Sequence, residues 1–158
     1  MANTTYLKNV VEPYLVNWVS KTIGVQLTKK KLTVGRACDG RDVQFEFDGV
    51  SCDDSVAACV SASTSYKVGQ MRKFFMEATL LNRAPQLKRR IMVFLSGSMW
   101  ESFKNQCDGL VDLSRIERMI CPSLPSDLDD HVKAIYRASA AEVGDKSGPG
   151  TKVPGRRR

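Results

Sequence analysis

The segment 43–63 constrains the fold most strongly, because it has the pattern of two antiparallel strands joined by a tight turn. Before the turn, apolar residues alternate with polar ones and with Asp48, which places Asp48 on the more polar face of the first strand. Residues 52–54 have the composition of a turn. After the turn, the period of two of a strand places Val56, Ala58 and Val60 on one face and Ser61 and Ser63 side by side on the other. We therefore expect a β-hairpin that carries one carboxylate beside two hydroxyl groups.

Two elements upstream extend this hairpin. Apolar side chains at three- and four-residue spacings predict an amphipathic helix over about residues 4–23, with a kink at Pro13 because proline cannot donate to the preceding turn. A strand is predicted over residues 32–37, and Asp39-Gly40 is a turn signal that joins it to the hairpin. Three antiparallel strands follow from these two turns.

Downstream, helical and strand patterns alternate. Apolar spacing predicts a helix over about residues 68–81 that covers the sheet. The continuous apolar run 91–95 is typical of a strand buried on both faces. A further helix is expected to begin at Ser98, and a last amphipathic helix near Ser126. The pattern of residues 111–121 is compatible with a strand and with a helical turn.

Composition indicates one domain, residues 1–143, with a substantial core, since 42% of the 158 residues are hydrophobic. The five cysteines are odd in number and contain no C-x-x-C pair, which argues against a disulfide framework and a zinc site and favours a reducing, cytoplasmic location. No run of 18 apolar residues and no signal-peptide pattern occurs, so we expect no membrane association.

A basic segment, residues 144–158, contributes +4 of the formal net charge of +7 and is expected to be disordered. A basic protein favours anionic partners, of which DNA or RNA is the commonest. A mild positive excess that serves only solubility is the alternative. The candidate nucleic-acid-binding residues are cations of this tail and of a short run that precedes the first strand in an expected surface loop: Lys152, Arg156, Arg157, Arg158, Lys29, Lys30 and Lys31.

The predicted order of helix, three antiparallel strands, helix and strand resembles the PD-(D/E)XK nuclease superfamily over about residues 4–110. That family carries an acidic residue on the second strand and an acid-x-Lys triplet on the third. Phe47-Asp48-Gly49-Val50 looks like the first element, and Val60-Ser61-Ala62-Ser63 falls where the second should be. The resemblance implies an α/β protein with a mixed sheet and a restriction endonuclease-like core, to which this chain adds a C-terminal helix.

In the family the two acids bind Mg²⁺, which holds a phosphate oxygen and activates the attacking water, while the lysine orients that water or offsets charge. Here Ser61 and Ser63 stand at the positions of the second acid and the lysine, and neutral hydroxyls perform neither role well. The resemblance therefore implies a degenerate motif. We favour a nucleic-acid-binding protein without catalytic activity on this basis.

A rebuilt active site is the alternative. Glu77, on the helix that follows the hairpin, resembles the helix-borne acid of members that have serine on the strand, so Asp48 and Glu77 would hold Mg²⁺. Glu12 resembles the first-helix glutamate of junction-resolvase relatives. Lys67 or Lys73 would supply the missing cation. Ordinary surface charges explain the same residues, and a protein-interaction module that retains only the fold is the third hypothesis.

Overall fold

A computed structural model describes residues 4–64 and 68–144 of the chain. Lys67 and the predicted tail cations Lys152, Arg156, Arg157 and Arg158 lie outside the described residues. The elements in chain order are α1 (Thr4–Tyr6), a π-helical turn (Leu7–Val11), α2 (Glu12–Ile23), β1 (Leu27–Arg36), β2 (Asp42–Ser51), β3 (Val56–Val60), α3 (Val68–Arg83), β4 (Arg89–Phe94), α4 (Gly97–Cys107), a 3-10 turn (Leu113–Arg115), β5 (Glu117–Ile120) and α5 (Ser126–Gly144).

The five strands form one mixed sheet in the order β1-β2-β3-β4-β5. The first three strands pair antiparallel, whereas β4 is parallel to β3 and β5 is parallel to β4. The α/β class and the predicted succession of helix, three antiparallel strands, helix and strand are confirmed. The apolar run 91–95 forms most of β4, which has a neighbouring strand on each side as its lack of alternation predicts.

Helices cover both faces of the sheet. Helices α3 and α4 pack on one face, where Phe74 lies 5.1 Å from Phe94 and 5.8 Å from Phe103, measured between ring centroids. Helices α2 and α5 pack on the other face through residues such as Leu15 and Val132. Because side chains alternate along a strand, neighbouring residues of β3 contribute to opposite layers of the core.

The N-terminal helix runs over residues 4–23, as predicted, and the irregularity expected at Pro13 takes the form of a π-helical turn just before it. Pro13 lies in the first turn of α2, directly after the π-helical turn that accommodates its missing N–H. Gly24 ends the helix with φ of 69°, a left-handed conformation that favours glycine. This arrangement places Glu12 at the junction between the π-helical turn and α2.

Strand β1 begins at Leu27 rather than at residue 32, so the expectation that Lys29, Lys30 and Lys31 lie in a loop was wrong. The three lysines belong to an edge strand. Charged side chains are common on such strands, because they discourage pairing with the strands of other chains. Lys29 lies 3.1 Å from Glu46 of β2, measured from Nζ to Oε1, and this pair supports the hairpin.

Two further boundaries differ from prediction. Helix α4 is capped by Ser96 rather than Ser98, and the Ser96 hydroxyl accepts a hydrogen bond from the Ser98 N–H at 3.2 Å. Strand β3 ends at Val60, so Ser61 and Ser63 follow the strand instead of belonging to it. None of the described helices has the combination of length and apolar character that a membrane span requires.

Gly49→Ala is expected to lower the free energy of unfolding by about 1–3 kcal/mol, because side chains of β1 and α2 lie close to Gly49 of β2. An added Cβ would lie 3.0 Å from the Leu27 Cβ and 3.2 Å from the Val16 Cγ1. Urea unfolding measures the change. Gly97→Ala is the matched control, since a Cβ at that helical position meets nothing within 4 Å and is expected to stabilise by up to about 1 kcal/mol. Equal effects at the two glycines would contradict the close approach.

Candidate metal centre

The site begins where strands β2 and β3 separate. Their pairing ends at Gly49 and Ala58, and the next acceptor for the β3 backbone is a side chain: Oδ2 of Asp48 accepts a hydrogen bond from the Val60 N–H at 2.9 Å. The carboxylate thus replaces a backbone carbonyl of the ladder. Asp48 is held at the opening between two strands and stays half-buried.

Two buried side chains meet Asp48 at this opening. Glu77 on α3 is only 4% exposed, and Cys59 on β3 is 2% exposed. The carboxylate oxygens of Asp48 and Glu77 and the Sγ of Cys59 all lie within 4.8 Å of one another. A strand acid, a helix acid and a thiol therefore converge on one point.

Lys73 links this group to the N-terminal helix. It lies one helical turn before Glu77, and its Nζ is 3.4 Å from Glu77 Oε1 and 3.8 Å from Glu12 Oε1. Glu12 comes from α2 and Glu77 from α3, which pack on opposite faces of the sheet. The lysine can contact both acids because the strands between these helices have separated.

The electrostatics of the group are those of a buried, negatively charged site. Burial raises the pKa of Glu77 to about 7. The nearby Lys73 lowers this pKa and the nearby Asp48 raises it, and both effects are smaller than that of burial. Burial also raises the pKa of Glu12. Burial by itself lowers the pKa of Lys73, but the surrounding carboxylates outweigh it and the pKa is raised. Lys73 is the cation within 4 Å of Glu12 and Glu77, so the three carboxylates outnumber the ammonium group that contacts them.

Two clefts reach the site and share Glu12. The first has a volume of about 370 Å³ and includes Asp48, Lys8 and Lys29 in its lining. The second has a volume of about 340 Å³ and includes Lys73, again with Lys8. Each cleft thus combines an acid of the site with at least one lysine. A phosphate-bearing ligand that reached the carboxylates would meet cations in either cleft.

The structure brings together four of the residues that the sequence singled out: Asp48, Glu77, Glu12 and Lys73. The sequence allows Lys73 to be a solvated surface charge or a site cation, and the structure places it against two carboxylates. Of the lysine run, Lys29 lines the first cleft, Lys30 pairs with Asp54 of the β2–β3 turn, and Lys31 is exposed.

Ser61 and Ser63 lie beside the site without joining the group around Asp48 and Glu77. Both are buried and line the second cleft. The Ser61 hydroxyl accepts a hydrogen bond from the Ser63 N–H at 3.2 Å, and the Ser63 hydroxyl donates to Gln70 Oε1 at 2.6 Å. Their hydroxyl groups therefore take part in local hydrogen bonds at the end of β3.

Cys59 is the member of the group that sequence reasoning missed. Period two places it on the same strand face as Ser61, and this was the available signal. The usual sequence signal for cysteine ligands is a C-x-x-C pair, and Cys59 belongs to none. A thiol that acts together with carboxylates from other elements has no such spacing, because its partners come from distant parts of the chain.

Comparisons of the chain with protein-family models, with curated proteins and with solved structures found no match.

Proposed function

We propose that this protein is a divalent-metal-dependent phosphodiesterase that acts on nucleic acid, with Asp48 and Glu77 as metal ligands. The observation that carries the proposal is the convergence of these two carboxylates where β2 and β3 separate, with Glu12 next to them across Lys73. Oxygen donors suit Mg²⁺ and Mn²⁺, and the excess of carboxylates over the one ammonium group that contacts them favours a divalent cation.

The residues have distinct roles in this proposal. A bound ion would hold a phosphate oxygen and lower the pKa of the attacking water. The hydrogen bond from Val60 fixes the orientation of Asp48. Lys73 supplies positive charge where negative charge develops on the phosphate during attack. Glu12 is only partly buried and borders both clefts, so it can accept a proton from a water molecule that enters through either.

The charge of the protein supports nucleic acid as the substrate class. Lys8 and Lys29 lie in the clefts that contain the acids, and the chain has a net charge of +7. Cations along such a path bind the phosphate backbone independently of base sequence. We assign the same role to the basic segment 144–158.

The proposal includes descent from the PD-(D/E)XK superfamily with a rebuilt motif. The order of helix, three antiparallel strands, helix and strand supports it, as does the position of Asp48 on the second strand. In this rebuilt site Glu77 of α3 replaces the strand acid and Lys73 replaces the strand lysine. The lysine that the motif usually places on the third strand has moved one element further along the chain.

A cleavage assay tests the proposal. The full chain is incubated with end-labelled single-stranded DNA, double-stranded DNA and RNA in Mg²⁺, in Mn²⁺ or in a chelator. We expect strand cleavage that needs the metal. The double variant Asp48→Asn/Glu77→Gln, purified in the same way, controls for contaminating nucleases and is expected to be inactive.

Cleavage by the double variant at the rate of the wild type would contradict the proposal. Metal-independent binding without cleavage by the wild type would instead favour the inactive binding protein, for which the neutral Ser61 and Ser63 at the end of β3 are the supporting observation. Neither binding at low salt nor cleavage would favour the protein-interaction module.

A further inference from the structure

We propose that Cys59 is a third ligand of this metal site and gives the site a preference for thiophilic divalent ions of the Zn²⁺ class over Mg²⁺. The inference rests on the proposed function, because the ion would occupy the same carboxylates of Asp48 and Glu77. It goes further in naming the metal that the site selects.

The geometry suits a small tetrahedral ion after a modest closure. Ligand atoms around Zn²⁺, at bonds of about 2.0–2.3 Å, lie roughly 3.3–3.8 Å from one another. The three donor atoms of Asp48, Cys59 and Glu77 are already within 4.8 Å of one another. A closure of roughly 1 Å, within the range of small side-chain rotations, would bring them to bonding distance of one ion. A fourth position would remain for water or a phosphate oxygen.

The thiol of Cys59 lies in the core layer under α3, at the point where that layer meets the acids of the site. Cys59 is 2% exposed and no hydrogen-bond partner for its Sγ is found among residues 4–64 and 68–144, yet two carboxylate groups lie next to it. A buried, unpartnered sulfur that faces two anionic ligands is therefore suited to a cation, whose binding displaces the thiol proton.

The donor set decides the selectivity. Thiolate is a soft ligand that binds Zn²⁺ and related ions well, whereas Mg²⁺ requires oxygen ligands and keeps most of its waters. With two carboxylates and one thiolate, the site offers Mg²⁺ only two ligands but offers Zn²⁺, Co²⁺ or Cd²⁺ three. Ions of this class also act as Lewis acids and activate water, so the preference is compatible with phosphodiester hydrolysis.

The test uses Co²⁺ and Cd²⁺ as probes, because a thiolate bound to either ion gives an ultraviolet charge-transfer band. Cys38 and Cys52 are exposed thiols and are replaced by serine in the full chain to remove adventitious binding. In this background we expect one equivalent of Co²⁺ to produce the band. Mg²⁺ in large excess should not displace the ion.

Cys59→Ser and Cys59→Ala are then measured in the same background. Both should lose the band and bind Co²⁺ at least about tenfold more weakly, a loss no smaller than that caused by removing an outer-shell partner of a metal ligand. Mg²⁺ affinity should change by less than about threefold. Cys107→Ser is the matched control, since Cys107 is buried on the same side of the sheet but outside the group. It should keep the band.

The outcomes separate this inference from the proposed function. A band that persists in both Cys59 variants, or that never appears in the background protein, overturns the role of Cys59. If Co²⁺ then still binds and Asp48→Asn abolishes its binding, the carboxylate site and the proposed function stand without the thiol. If neither Co²⁺, Mg²⁺ nor Mn²⁺ binds to the background protein, both proposals are wrong.

Discussion

Asp48→Asn is expected to slow metal-dependent cleavage by about 10²–10³-fold while leaving the stability of the metal-free protein nearly unchanged, the scale of removing one preorganised electrostatic group. The amide oxygen of asparagine can still accept the hydrogen bond from the Val60 N–H, which Asp48 accepts at 2.9 Å. The substitution removes the negative charge that would bind the ion. It therefore separates the proposed catalytic role of Asp48 from its structural role.

Asp48→Ala has a second expected consequence. Val60 is 1% exposed, so its N–H would lose its acceptor in a buried place, at a cost of about 1–3 kcal/mol in the free energy of unfolding. Urea unfolding of the two variants measures this difference. Asp42→Asn is the matched control, because Asp42 is an exposed acid of the same strand whose partner is Arg36 at 3.5 Å. It should change neither cleavage nor stability appreciably.

Wild-type cleavage rates in Asp48→Asn would exclude Asp48 as a metal ligand. Equal stability of Asp48→Asn and Asp48→Ala would show that the hydrogen bond to Val60 contributes nothing measurable to the fold.

The elements that sequence predicted well are those in which local pattern and tertiary environment agree. The period of two and a turn sequence predict the hairpin of β2 and β3. Apolar residues three and four positions apart predict α3. The same regularity made the site partly predictable. Lys73 and Glu77 lie four residues apart on one helix, so their side chains are neighbours and both can reach the same site.

What sequence could not predict depends on contacts between distant residues. The lysine run of β1 has no apolar alternation of its own, and it is a strand because β2 provides its hydrogen bonds. The point at which β2 and β3 stop pairing also depends on contacts between distant residues. Nothing in the pattern marks Gly49 and Ala58 as the last pair, yet that point determines that Cys59, rather than Ser61 or Ser63, faces Asp48.

Glu77→Gln is expected to raise the free energy of unfolding of the metal-free protein by as much as about 3 kcal/mol at pH 8–9, although it removes a proposed ligand. The folded state raises the pKa of Glu77 from 4.5 to about 7, chiefly through burial. The folded protein therefore binds this proton more tightly than the unfolded chain, and stability falls as the pH rises from about 4.5 to 7. Above pH 7 the whole cost of the buried charge, about 1.4 kcal/mol for each pKa unit, is present.

Glutamine resembles the protonated carboxyl, so the variant avoids that cost. Its advantage over the wild type should be greatest above pH 7 and should disappear near pH 4.5. Urea unfolding in a chelator at several pH values measures the difference. Glu101→Gln is the matched control, since Glu101 is an exposed helix acid 3.6 Å from Arg118 and is expected to change stability by less than about 0.5 kcal/mol.

The sign of this effect distinguishes two explanations of the buried acids. If the pair of Lys73 and Glu77 served mainly to stabilise the fold, Glu77→Gln would destabilise the protein above pH 7, because the lysine would lose its nearer partner at 3.4 Å. If Glu77 is retained for a ligand, the metal-free protein carries a carboxylate that costs stability, and its removal stabilises the fold while it weakens binding of the ion. A stabilised variant that no longer cleaves nucleic acid would support the second explanation.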